Sequence, residues 1–171
     1  MPNHVHLILV PETAEGLGRA VGEAHRHYTN FINARGWWTG HLFQSRFSSV
    51  AMDEPHLMAA ARYVSLNPVR ARWSRAHAWP WSSVNAHLAG VDDELVQVRP
   101  ILAREPRVAA TLEEGGNDGF AALRRSEGSG RPVGTAEFGA GLERVLGRPI
   151  ARRPPGRKPA GEPSSQLDLG V

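Results

Sequence analysis

The run "HVHLILV" at residues 4–10 constrains the fold more than any other stretch, because it offers apolar side chains in both registers of a strand. Successive residues on a strand face opposite ways, so Val5, Leu7 and Leu9 form one apolar face and Ile8 and Val10 belong to the other. A strand of this kind needs cover on both faces and neighbours on both edges. The chain is therefore expected to place the run inside a sheet. His4 and His6 open it on a shared face, and two residues along a strand span roughly 7 Å, close enough for both imidazoles to reach one ion. His25 and His27 in "HRHY" have the same spacing but lie in a helical pattern, where residues two apart do not meet.

The 171 residues suffice for one domain with its own core, followed by a tail. There is no cysteine, which excludes disulfides and thiolate metal sites and leaves nitrogen and oxygen as the only metal ligands. No apolar stretch reaches the length of a membrane span, and the start lacks the pattern of a signal peptide. The sequence thus points to a cytoplasmic protein with no membrane partner. Net charge is only +3, yet nineteen of the twenty basic residues are arginine, Lys158 being the exception. Arginine grips phosphate through a planar fork and stacks on bases, which suits a nucleic-acid partner; the codon bias of a GC-rich genome gives the same composition. Residues 1–90 and 131–171 are net basic and residues 91–130 net acidic.

The pattern divides the chain into three. In residues 1–90, a breaker-rich turn "VPETAEG" leads to a helix whose stripe is Leu17, Val21, Ala24, Tyr28, Phe31 and Ile32, with Gly36 as its stop. "WWTGHLFQSRFSSVAM" reads as one or two short strands. A second helix is expected in "DEPHLMAAARYVSLNP", capped by Asp53 and closed by Asn67 before Pro68. Trp73, Trp79 and Trp81 are placed to clamp a loop on the core, before a short helical "VNAHLAG". Residues 91–147 read as a helical extension, in which "GTAEFGAGLERVLG" makes an amphipathic helix through Phe138, Leu142, Val145 and Leu146. Residues 148–171 form a basic, proline-rich tail too polar to bury a core, and disorder is expected there.

Chemistry concentrates in "RYVSLNP". Tyr63 and Asn67 are four apart on the second helix, so they share a face. If that face meets His4 and His6, two imidazoles, an amide oxygen and a phenol converge. Such a set leaves open positions on Mg²⁺ or Mn²⁺, which can polarise a phosphodiester, and it supplies Tyr63 as a nucleophile. Taken singly, each residue also has a plainer reading: a surface or core histidine pair, a half-buried core tyrosine, an asparagine at a helix end. Phe43, Gln44 and Arg46 in "FQSRF" offer stacking and phosphate contacts, and Arg62, Arg70 and Arg72 flank the tyrosine. Solvated surface and core packing are the alternatives for these.

"MPNHVHLIL", "GHLFQSRF", "RYVSLNPVRA" and "WPWSS", in this order, resemble the single-tyrosine HUH transposases of the insertion sequence 200-like superfamily, especially the REP-associated tyrosine transposase branch. The resemblance covers residues 1–90. It implies an α+β, ferredoxin-like antiparallel sheet with packed helices, and metal-dependent cleavage and transfer of single-stranded or hairpin DNA. It also implies a 5′-phosphotyrosine intermediate, with Tyr63 as nucleophile and His4, His6 and Asn67 as metal ligands. Related enzymes use glutamine at the position of Asn67. In the family a strand–helix–strand segment precedes the histidine strand, so the sheet's opening elements are expected to be missing and the scaffold truncated. A nucleoid-associated protein, monomeric or homodimeric, is the corresponding expectation. A DNA-binding module that does not cut, or a decayed transposase fragment, fits the same residues.

Overall fold

The computed structural model describes residues 4–73, 75–113, 120–127 and 129–150. Two helices, Glu54–Ser65 and Ala136–Leu146, start where a side chain accepts from their first N–H groups. Helix α1, Gly16–Gly36, runs for 21 residues. Asp53, as expected, caps α2, Glu54–Ser65, by accepting from the His56 N–H, and Pro55 stands in the first turn, where its missing N–H costs nothing. The chain then continues into α3, Asn67–Arg70.

Asn67 therefore opens a helical turn and does not close one. Pro68 lies in the first turn of α3, and the bond that would otherwise be broken is bypassed, since Leu66 N–H donates to Arg62 and Arg70 N–H to Leu66. Downstream come a 3₁₀ turn at Ala76–Ala78, α4 at Val84–Ala89, α5 at Arg99–Leu102, α6 at Val108–Glu113, α7 at Phe120–Glu127 and α8 at Ala136–Leu146. Thr135 caps α8 by accepting from Phe138 N–H. Trp73 and Trp79 pack edge to face at 4.8 Å, yet Trp73 remains exposed and Trp81 is more so, so neither is clamped on the core as expected. Val145 and Leu146, expected on the apolar side of α8, are exposed as well.

The expected ferredoxin-like sheet is overturned. The described residues form no sheet, and their one β-type contact is an isolated parallel bridge between Met52 and Val133. Residues 4–10 have no regular structure, and Val5, Leu7, Leu9 and Val10 are exposed. The physical reason is that β-propensity measures fit to neighbouring strands more than a preference of the backbone itself. A strand forms only when another segment takes its N–H and C=O groups. The second β-prone stretch cannot serve: it passes through Gly40 at φ 98° and a series of bends, so no strand runs from Trp37 to Ser49.

The core lies instead between α2 and α7, where Ala60, Tyr63, Phe120 and Leu123 cluster with Met52, Ala59, Val64 and Leu66 packed against them. The region read as an extension thus supplies half of the buried cluster. It is tied to the start of α2 by three backbone-centred bonds. Val133 N–H donates to Ala51 at 2.9 Å, Asp53 N–H donates to Val133 at 3.2 Å, and Thr135 N–H donates to the Asp53 carboxylate at 2.7 Å. A side chain added at Gly134 would meet Phe138 at 2.2 Å and Asp53 Oδ2 at 3.0 Å, so glycine permits this close approach. Arg104 of the α5 end adds an ion pair to Glu54. The tail from residue 151 onward lies outside the described residues.

Candidate active site

The site begins with the irregular segment that carries the histidines. His4 and His6 meet edge to face with ring centroids 4.9 Å apart, and His6 in turn meets the Tyr63 ring at 5.5 Å. The structure thus brings together the histidine pair from one end of the described chain and the tyrosine of α2 without using a sheet. Two imidazoles bound to one ion at about 2.1 Å place their ring centroids at about this separation, so the spacing of the pair is compatible with a shared cation. Asn67 follows Tyr63 by one helical turn and is buried, 7% exposed. Among the described residues, no three His, Cys, Asp or Glu side chains gather at a metal position. A cation here would rely on His4, His6 and oxygens of a substrate, with Asn67 as the third ligand that the resemblance implies.

Tyr63 is itself buried, 8% exposed. One side of its ring meets Phe120 of α7 at 5.3 Å, and the Arg70 guanidinium stands 4.7 Å from its centroid and 5.9 Å from that of Phe120. Arg70, read from the sequence as a phosphate contact, therefore packs as a cation over two aromatic faces, an arrangement that stabilises by roughly 0.5–2 kcal/mol. Arg62 is different. Its Nε and Nη2 are buried with no hydrogen-bond partner among the described residues. Arg62 as a whole is half-buried, but unpaired buried donors are costly, and an anionic oxygen would relieve that cost. Arg72 is exposed and adopts φ 71°.

The "FQSRF" residues lie on a different surface. Phe43 stacks flat on His25 of α1, with centroids 3.9 Å apart and planes 13° from parallel, and sits 6.2 Å from Tyr28. Gln44 and Arg46 are exposed in the bends that follow. His27 points to Glu23, its near oxygen 3.7 Å away, and so the two histidines of "HRHY" have separate partners, as the helical pattern required.

Two features escaped the sequence. Phe120 covers the tyrosine from 57 positions away in a weakly apolar stretch, and nothing local signals that contact. Asp53 and His56 form a close pair, with His56 Nδ1 2.5 Å from Asp53 Oδ1; the i, i+3 spacing at a helix start was a readable signal for it. Burial of Asp53 opposes ionisation, but hydrogen bonds from Thr135 N–H and from the ring and N–H of His56 outweigh this and hold its carboxyl below the usual range. Among the described residues no helix is long and apolar enough to cross a membrane. Compared with known proteins, the chain matches no family model, no curated protein and no solved structure.

Proposed function

We propose that the protein is a metal-dependent, single-tyrosine enzyme that nicks and rejoins single-stranded or hairpin DNA. The observation that carries this reading is the contact chain His4–His6–Tyr63, which sets a phenol beside two imidazoles spaced for one cation. Mg²⁺ or Mn²⁺ held by His4, His6 and Asn67 would supply electrophilic activation of the phosphodiester. The chain's own residues do the rest. Tyr63 Oη forms a bond to phosphorus as the bond from phosphorus to the 3′-oxygen breaks, and the phenolic proton is balanced by protonation of the departing 3′-hydroxyl. The product is a 5′-phosphotyrosine, and reversal against another 3′-hydroxyl rejoins a strand without ATP. Arg62, with two buried donors unsatisfied, suits the scissile phosphate. Arg72 is placed near enough in sequence to take a neighbouring phosphate, and Phe43, Gln44 and Arg46 suit the strand further away.

A second reading has its own support. Tyr63 lies beneath Phe120 and Arg70, as a core tyrosine would, which favours a DNA-binding module that does not cut. Incubation with single-stranded hairpin DNA and Mn²⁺, followed by a denaturing gel, separates the two. The enzyme gives a covalent protein–DNA adduct that Tyr63→Phe removes and chelation prevents; the binding module gives none, and Tyr63→Phe leaves its affinity unchanged.

A further inference from the structure

Helix α1 ends in a way that packing does not explain. Its terminal left-handed residue, where glycine or asparagine is favoured, is Trp37 at φ 54°, and that side chain is 95% exposed. Trp38 is 63% exposed and rests on Gly36, where even a Cβ would come within 2.6 Å of its ring. Along the helix, Tyr28 and Phe31 are each about half exposed, and Arg35 lies over the Phe31 ring at 5.3 Å. The stripe that reads as core-facing is thus open at Tyr28 and Phe31, while Ile32 is half-buried. A large aromatic held in an unfavourable backbone conformation while touching almost nothing costs stability and returns none to the fold.

Charge identifies what covers it. Residues 24–52 contain six of the chain's twelve Phe, Trp and Tyr residues, together with three arginines and three histidines, and no Asp or Glu at all. Phe43 is braced against His25, and Asn33 holds the loop after Trp38 by donating to the Gly40 carbonyl at 2.9 Å, so the aromatics are displayed on an anchored turn. Glu23, at the edge of this segment, is paired with Arg26, which leaves Arg35 and Arg46 beside the open aromatic faces, a combination that matches single-stranded nucleic acid, whose bases stack and whose phosphates pair with arginine. Helix carbonyls point out at the α1 end, which suits bases there and leaves phosphates to Arg35 and Arg46.

We infer that Tyr28, Phe31, Arg35, Trp37 and Trp38 form a stacking surface for single-stranded DNA, separate from the Tyr63 site. The choice of DNA over RNA rests on the reading of Tyr63 given above; the surface itself does not. The test is titration of the full Tyr63→Phe chain, which cannot form an adduct, with oligothymidine at low salt, followed by tryptophan fluorescence. Trp37→Asn is the decisive variant because asparagine suits a left-handed residue and the lost ring supports nothing. Binding with quenching is expected, weakened about 5- to 100-fold by Trp37→Asn and by Phe31→Ala, with duplex DNA bound less tightly. Unchanged affinity in both variants, equal affinity for duplex, or tighter binding of oligouridine would overturn the proposal. So would self-association that Trp37→Asn abolishes while oligothymidine is not bound, which would assign the surface to a second copy. Loss of oligothymidine binding with hairpin adducts intact in the wild type removes this surface alone; binding without any adduct removes the nucleophile alone.

Discussion

Helices α1 and α2 carry similar amphipathic patterns but meet different fates. In α2 the apolar side finds α7, so Ala60 and Tyr63 are buried against Phe120 and Leu123. In the longer α1 only Val21 is buried, and Tyr28 and Phe31 stay open. The contrast shows that periodicity specifies a face but not what covers it. Cover comes from a partner distant in sequence, and α2 has one in the described chain.

The largest effect that tests this contrast compares one substitution in both places. Phe120→Ala removes a ring that is 2% exposed and is expected to lower unfolding free energy by about 3–5 kcal/mol. Phe31→Ala, on the open stripe, is expected to cost less than about 0.5 kcal/mol. Urea titration measures both, and equal losses would mean that α1 is covered in solution. The two tyrosines report the same difference chemically. Tetranitromethane should nitrate the half-exposed Tyr28 in the native chain and spare Tyr63, whereas Phe120→Ala should open Tyr63 as well; peptide mass spectrometry reads each site. Nitration of Tyr63 at the native rate of Tyr28 would show that α7 does not shield it.

How the cover is fastened gives the next effect in size. Asp53 accepts from both His56 and Thr135, which joins the start of α2 to the start of α8, and its carboxyl is held below the ordinary range. A carboxyl lowered in the folded state contributes stability above its unfolded value, near 3.9. That contribution is lost as pH falls through the folded value. The melting temperature should therefore drop in acid, and Asp53→Asn should melt lower at pH 7 while losing less between pH 5 and pH 2. Parallel pH profiles would mean that another carboxylate governs the acid transition.

What could be read in advance follows the same division. The helix over Gly16–Gly36, the Asp53 cap of α2 and the helix after Thr135 were legible because caps and periodicity are local. The sheet was not, since "HVHLILV" reports only a strand's propensity and the pairing segment it needs is missing from the described residues. Of the candidate site, the sequence singled out His4, His6, Tyr63 and Asn67 on a strand and a single helix; the histidines meet each other and Tyr63 from an irregular segment instead, and Asn67 opens α3. Phe120 over Tyr63 and Arg70 across both rings could not be anticipated, because no local rule links positions so far apart.

The smallest effect concerns the end of α1, where the contrast reverses the usual meaning of a substitution. Replacing an aromatic residue ordinarily destabilises, as at Phe120. Trp37 is 95% exposed and sits at φ 54°, so Trp37→Asn loses almost no packing and relieves a left-handed tryptophan, for which asparagine is better suited. A gain of up to about 1 kcal/mol is expected, measured as a higher urea midpoint at unchanged slope. A loss of stability would show that the ring packs on something in solution, and the stacking surface would then be a hidden core face. A gain in stability accompanied by weaker oligothymidine binding would mark Trp37 as a residue retained for its ligand at the expense of the helix end.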